Sequence, residues 1–534
     1  MTSNLSKKSE KTWNEELVFP LEKGIDCFKE QRLTGSSYQQ LVRTGKMPFR
    51  IGLIFFGAFA AVGCCNLTVA LATSPPNVLL ITIDDMNDGI SLFGHDRPFK
   101  TPHIEQLATR GVFFRRAYCV SAACNPSRAA TLTGLRPATT GVYGNATDWR
   151  NATKGRLTLP EYFGKYGYHT AGFGKIYHHH GKGRFNDPAA WTTFREMDDQ
   201  YMPPAKLNGA DNYGSRNTDW GAWPKDQDEQ KTIDFRSVKY TIDFLKRNRH
   251  LAKSSEPAQP FFLACGIFKP HSPFYAPPRY HAFYPDDIPL PLRQVDDWND
   301  LPPGARTLMR PTTWFWKGME SLEKQKPGSY SDFIRAYGAC CTFADASIGR
   351  LISALDKSGH AGNTIIVLWS DHGFHLGEKD HIEKFALWEK STHIPFIVVD
   401  PRSPHSAGQV CESPIDMTIL YPTLVDLCKL PANTNNEGIS VATQIQDPKL
   451  TISQPALMTY GFNNHAIRSR RWRYIRYADG TEELYDHHND PNEWNNLSLD
   501  SSRTQAMRKH ARWMPTKNAL PYGDLKQTTR GIKD

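Results

Sequence analysis

Residues 77–84 read Asn77-Val-Leu-Leu-Ile-Thr-Ile-Asp84. A run this short, apolar and rich in β-branched residues reads as a strand buried on both faces. Such a strand needs helices above and below it, and the following chain supplies them. Helical patterns are predicted over residues 126–134, 159–166, 232–248, 330–358 and 417–430. Strand patterns are predicted over 169–174, 261–268, 364–370 and 395–399. Thr101, with Pro102 behind it and Glu105 in the first turn available for a capping-box contact, predicts the start of one more helix. This alternation implies an α/β fold: a large, mostly parallel sheet sandwiched by helices. Composition shifts near residues 447–454. Short strands are then predicted at 456–460, 466–468, 472–477 and 483–485, with an Asp479-Gly480 turn before the last. They imply a smaller C-terminal antiparallel α+β subdomain. The expected organisation is an N-terminal extension plus signal peptide over 1–72, a catalytic α/β domain over 73–450, and the C-terminal subdomain over 451–534. Residues 181–230 and 280–330 show little periodicity and read as long pocket-wall loops.

The chain has 534 residues, 39% of them hydrophobic, with a formal net charge of +9. That is ample for a large core. The first 50 residues hold nine Lys/Arg and six Asp/Glu, so the remainder carries +6. This favours anionic partners weakly and is too small to argue for nucleic acid; no zinc finger or RNA-recognition signature accompanies it. The ten cysteines include no Cys-x-x-Cys pair, and any disulfide pairing stays open. Residues 51–65 are uncharged and apolar, preceded by Arg43, Lys46 and Arg50 and followed by Ala70-Leu71-Ala72. This is the layout of a cleaved signal peptide, with Met47 as an alternative start to Met1. Export, as a secreted or periplasmic protein, is expected. A run this short makes a poor membrane span, which leaves a retained anchor, or a lipid on Cys64, as lesser readings.

Asp84-Asp85 closes the first strand, and Asp371-His372 closes the predicted strand over 364–370. In open α/β sheets ligands bind at that edge. Adjacent carboxylates repel unless a cation neutralises them; a carboxylate-rich site suits a hard divalent ion, most simply Ca²⁺. Residues 124–134 read Cys124-Asn-Pro-Ser-Arg128-Ala-Ala-Thr-Leu-Thr-Gly134. Alone this is a small buried cysteine before a helix with Pro126 in its first turn. A thiolate sits oddly among hard-ion ligands.

The stretch also resembles the signature of the sulfatases, within the alkaline-phosphatase-like superfamily. Asp84-Asp85-Met86, Gly174-Lys175-Ile-Tyr-His178, Lys269-Pro-His271-Ser-Pro-Phe274, Ser370-Asp-His-Gly373, Leu376-Gly377-Glu378 and Lys384 extend the likeness. His372, and the two residues between Lys175 and His178, resemble the iduronate-2-sulfatase subgroup. The resemblance implies that Cys124 is converted to formylglycine by a formylglycine-generating enzyme. Its hydrated aldehyde would attack the sulfur of a sulfate ester and then expel sulfate. The resemblance further implies one Ca²⁺ held by Asp84, Asp85, Asp371, His372 and modified Cys124. Arg128 would hold the hydrated aldehyde, and Lys175 and Lys384 would clamp sulfate oxygens. His178 would take a proton from the diol, and His271, with or without Lys384, would protonate the leaving alcohol; His179 and His180 compete with His178 for that role.

The expected substrate is therefore a sulfated carbohydrate. Alternatives are a phosphodiesterase or phosphonate monoester hydrolase on the same fold, and a non-catalytic protein that binds sulfated glycans. Arg468, Arg470, Arg471, Arg473 and Arg476 fall on predicted C-terminal strands. A solvated strand face is the preferred reading for them, with a grip on acidic polysaccharide as the competitor. Tyr485-Asp486 and Asp490-Pro-Asn-Glu-Trp494 read as structural.

Overall fold

The strand β1 (Asn77–Asp84) is buried at every position, as its unbroken apolar run requires. The computed structural model describes residues 74–94, 96–178, 187–195, 202–210, 214–249 and 259–523. The expected signal-peptide segment, His179 and His180 lie outside these. In chain order the other strands of the main sheet are β2 (Val112–Phe114), β3 (His169–Gly174), β4 (Thr193–Arg195), β5 (Phe261–Pro270), β6 (Thr364–Ser370), β7 (Phe396–Val399) and β8 (Gln409–Cys411). Their spatial order is β8-β2-β7-β6-β1-β5-β3-β4. All pairings are parallel except the two made by β7, with β6 and β2. The expected mostly parallel sheet is therefore present.

Side chains alternate across β1 and build a core on each face. Leu79, Ile81 and Ile83 join one core, with α4 (Ile233–Arg247) and α5 (Ser329–Ser358). Val78 and Leu80 join the other, under α2 (Cys124–Thr133), α3 (Leu159–Lys165) and α6 (Leu420–Leu427). Each such aliphatic side chain contributes about 1.5–3 kcal/mol when fully buried. By the same alternation Asp84 follows Thr82 onto the face that carries α2.

Three local expectations are corrected. At α1 (Pro102–Ala108), Thr101 makes no side-chain cap. The Ser91 hydroxyl reaches both Thr101 and Glu105 instead, which removes both partners from the box. The helix after the cysteine motif starts at Cys124 itself, so Pro126 occupies the first turn, where its missing N–H costs no hydrogen bond. The element expected over 417–430 opens as a 3₁₀ turn, Met417–Ile419, capped by the Asp416 side chain. It ends at Leu427, two residues before Lys429 turns to φ +54°.

The second long loop is not wholly irregular, since it contains helices Pro303–Met309 and Thr313–Gln325. All seven cysteines among the described residues are buried and unpaired. No helix among the described residues is long and apolar enough to cross a membrane.

The C-terminal strands β9 (Ala456–Thr459), β10 (His465–Arg468), β11 (Trp472–Arg476) and β12 (Glu482–Asp486) form one antiparallel sheet in sequence order. Ala466, Ile475 and Tyr485 pack one face onto Tyr118, Leu387 and Trp388. Ile467, Tyr474 and Leu484 lie on the other, with Met507 of α7 (Thr504–Ala511) against them. Arg468 and Arg473 share the first face and are buried. Arg468 pairs with Glu389 at 3.0 Å, and Arg473 with Glu493 at 2.6 Å and also with Glu389. Neither is a solvated strand residue or a polysaccharide grip. Glu493, and Asp490 through the amides of Trp494 and Asn495, have structural roles, as expected.

Candidate active site

The register of the main sheet assembles the site. Ile83 pairs with Ser370, which sets Asp84 level with Asp371 across the ends of β1 and β6. On the other side the register shifts after Ile83, and Asp84 faces Pro270 at the end of β5. Gly174 pairs with Gly266, which delivers Lys175 to the same edge. That approach demands glycine: a Cβ on Gly266 would lie 2.3 Å from the Lys175 carbonyl. Gly174 itself stands at φ +81°.

Cys124 is the first residue of α2 and almost wholly buried, at 1% exposure. Around its sulfur lie His372 Nε2 at 3.2 Å, Lys384 Nζ at 3.4 Å, Asp84 Oδ1 at 3.6 Å and Lys175 Nζ at 4.0 Å. The Gly373 carbonyl accepts from His372 Nδ1 at 3.0 Å. That bond leaves Nε2 as the acceptor facing the sulfur. Arg128, one turn into α2, has no exposed surface. It donates from Nε to Asp371 Oδ2 at 2.8 Å and lies 3.4 Å from Asp84. A further hydrogen bond, 2.6 Å long, runs from Arg128 to the Lys175 carbonyl. The Lys175 ammonium pairs with Asp84. Lys384 pairs with Asp85 at 3.0 Å, and His372 Nδ1 is 3.3 Å from the same carboxylate. His271 Nε2 is 4.0 Å from Asp85, and its ring is the most open of the set, at 22%.

Nine of the ten predicted site residues thus converge: Asp84, Asp85, Cys124, Arg128, Lys175, His271, Asp371, His372 and Lys384. His178 is buried, and its carbonyl accepts from the Trp149 indole at 3.2 Å. It belongs to neither ligand cluster at the site.

Burial disfavours every charge here, and neighbours decide the outcome. At Asp84 burial is opposed by Lys175, Arg128 and Lys384, which hold the carboxyl well below its ordinary range. At Asp371 burial outweighs Arg128, and the shift is upward. Burial pulls Lys384 down, but the carboxylates, Asp85 foremost, outweigh it and keep the ammonium charged. Burial pushes the Cys124 thiol well up, against Lys175 and Lys384, so an unaltered thiol here stays protonated and weakly nucleophilic. Burial and Lys384 push His271 down, leaving it neutral.

At the site, possible metal ligands fall into two overlapping clusters with ligand atoms within 4.8 Å of one another: Asp84, Cys124, Asp371 and His372, and Asp84, Asp85, Cys124 and His271; a third group, Glu389, His487 and Glu493, lies elsewhere. Three carboxylates, joined by the imidazole of His372 or of His271, fit a hard divalent ion; the thiol is the ligand that does not.

Several supporting roles escaped the sequence reading. Ser127 Oγ donates to the Asp371 carbonyl at 2.6 Å. Tyr337 donates to the Asp85 carbonyl at 2.7 Å, where Asp85 turns at φ +65°. Lys269 holds the His271 loop through the carbonyls of His271 and Pro273. Ser127 and Lys269 lie inside the quoted motifs, whose spacing assigned them no role, and Tyr337 lies within the long helix α5 with no motif around it.

A family model described as "Sulfatase" matches residues 76–430. A second, described as the C-terminal region of N-sulphoglucosamine sulphohydrolase, matches residues 377–517. A sulfatase from Formosa agariphila is 37% identical over 514 residues, covering 89% of this chain and 96% of its own length. The iduronate 2-sulfatase of Homo sapiens is 32% identical over 378 residues, covering 67% of this chain and 66% of its own length. In fold, the phosphonate monoester hydrolase of Agrobacterium radiobacter superposes with a TM-score of 0.63 at 22% identity, covering 82% of this chain and 94% of that one. A sheet edge that gathers carboxylates, cations and a buried cysteine at a helix start defines a hydrolase of anionic esters. The chain belongs to the sulfatase family, whose members hydrolyse sulfuric esters.

Proposed function

We propose that this chain is an exported, calcium-dependent sulfatase that uses formylglycine made from Cys124 to remove a sulfate ester from a sugar or uronic acid. The observation that carries this reading is the setting of Cys124. Its thiol is buried, held protonated, and ringed by two ammonium groups, an imidazole and a carboxylate. Sulfur is poorly matched to those neighbours, whereas an oxygen-bearing side chain made by a formylglycine-generating enzyme suits them.

Asp84, Asp85, Asp371, His372 and the converted Cys124 would hold the Ca²⁺. When present, the ion supplies fixed positive charge, and the hydrated aldehyde supplies a nucleophilic oxygen with a second hydroxyl for sulfate release. The chain's own residues do the rest. Arg128, locked by Asp371 and the Lys175 carbonyl, adds a fixed cation beside Asp84. Lys175 and Lys384, each within 4.0 Å of the Cys124 sulfur, can hold sulfate oxygens as charge builds in the transition state. His271 sits on the open side with its Nδ1–H donated to the Ser272 carbonyl at 2.8 Å, so Nε2 is the atom that would have to take up a proton and pass it to the leaving oxygen. His178, three residues beyond Lys175, is the candidate acceptor for the proton lost during release.

The relation to iduronate 2-sulfatase supports a 2-O-sulfated uronate as substrate. The apolar run over residues 51–65 supports export. One fold neighbour is a phosphonate monoester hydrolase, which favours phosphonate or phosphodiester hydrolysis as the second reading. Parallel assays on an aryl sulfate and an aryl phosphodiester separate the two. Sulfate turnover should dominate, vanish with EGTA and return with Ca²⁺. Preferred phosphodiester turnover would overturn the proposal, as would glycan binding with no turnover of either substrate.

A further inference from the structure

We propose that the C-terminal subdomain carries a second, non-catalytic binding site, for a sulfated polysaccharide chain, at the turn between β10 and β11. The choice of ligand rests on the sulfated-carbohydrate reading above.

A pocket of about 380 Å³ opens there, walled by the turn Ser469-Arg470-Arg471-Trp472, by residues 452–455 and by the end of α7 with Lys509, His510 and Trp513. No Asp or Glu lines it. Arg470, Arg471, Lys509 and Trp513 are exposed, Trp513 at 43%. Among the described residues, neither Arg470 nor Lys509 has a carboxylate partner, whereas Arg471 is held by Asp486 at 2.6 Å and lies over the Trp472 ring at 4.7 Å. The floor is braced. His510 donates from Nδ1 to the Ala506 carbonyl at 2.7 Å and accepts at Nε2 from Ser469 Oγ at 2.9 Å. That pair of bonds ties α7 to the turn.

Lys509 also complements the negative end of α7, but this accounts for one wall only, because Arg470 comes from a different element. Two uncommitted cations around an indole match a sulfated sugar. Such a ring presents sulfate oxygens at its edge, which Arg and Lys can bind, and a C–H face that packs on an aromatic side chain. The opposite end of the β9–β10 hairpin approaches the catalytic loop: Tyr460 meets Phe385, beside Lys384, at 5.6 Å. At ~3.4 Å per strand residue, the hairpin puts more than ~10 Å between the two ends. A polymer held at the turn would raise the local concentration of ester groups without entering the catalytic pocket.

The test measures binding of dextran sulfate, unsulfated dextran and polyglutamate to the full chain, alongside turnover of an aryl sulfate. Dextran sulfate should bind, and dextran and polyglutamate should bind far more weakly. Replacing Arg470→Ser and Lys509→Ser together should weaken dextran sulfate binding by roughly tenfold. Trp513→Ala should weaken it severalfold, and aryl sulfate turnover should be unchanged in every variant. Unchanged affinity in the variants, or polyglutamate binding as tight as that of dextran sulfate, would overturn the proposal. If the wild type turned over no sulfate ester while the variants still lost dextran sulfate, the catalytic reading would fall and this site would stand.

Discussion

Replacing Gly266 by alanine should disable the site from beneath. The new Cβ would lie 2.3 Å from both the carbon and oxygen of the Lys175 carbonyl and 2.4 Å from its nitrogen. Backbone cannot rotate away as a side-chain tip can, so β3 and β5 must part by roughly an ångström to restore ordinary contact. The Lys175 carbonyl is the acceptor for Arg128 at 2.6 Å and for Thr82 at 3.0 Å, and the Lys175 ammonium rests on Asp84. The shift therefore passes directly to three site groups. Overpacking of this kind costs about 1–3 kcal/mol of stability, and a 1 Å misplacement of catalytic groups costs on the order of 100-fold in rate. Chemical denaturation and kcat/KM on an aryl sulfate read the two effects. Gly362→Ala is the control, since a Cβ there meets nothing within 4 Å. A folded Gly266→Ala variant with wild-type kcat/KM would refute the claim that this strand contact positions Lys175.

Lys384→Gln removes the cation 3.0 Å from Asp85, so kcat should fall by roughly 100-fold with calcium present; near-wild-type turnover would remove Lys384 from the reaction. Arg473→Met would leave Glu389 and Glu493 buried without their shared partner, at a cost of about 3–5 kcal/mol in chemical denaturation. Polysaccharide affinity should not change in that variant, and a selective loss of it would restore the discarded grip. Burial raises the Asp88 carboxyl, but Lys390 at 2.8 Å, with His393 and Arg97, outweighs it and holds the group well below its ordinary value. A lowered folded-state value means that its stabilisation is present above about pH 4 and is lost as pH falls from there. Asp88→Asn should therefore flatten the acid limb of stability, and an unchanged limb would contradict the pairing.

The main sheet was readable because a strand covered on both faces needs an uninterrupted apolar run, and β1, β5 and β6 each have one. The strand-end acids were readable for a related reason: charge at the end of such a run has nowhere to go except the sheet edge. Helix starts were harder. Thr101 has the composition of a cap, yet Ser91, ten residues earlier, takes its partners, and no local pattern announces a competitor across a loop. The C-terminal arginines show a misreading that period-two counting corrects. Arg473 alternates with Ile475 and Tyr477, which face the catalytic layer, so its side chain had to enter that interface. The depth of that interface was hidden, because it depends on Glu389 and Glu493, far off in the chain. Convergence of Lys175 and Lys384 on Cys124 likewise depends on parallel register and on the Gly174–Gly266 approach, which spacing alone does not encode.

The central claim is most directly tested by the mass of the peptide spanning Cys124, taken from protein made in its native host. That peptide is expected to be about 18 Da lighter than its thiol form, as conversion to an aldehyde requires, and to react with a hydrazide. A fully active preparation in which Cys124 remained an unaltered thiol would contradict the proposed chemistry.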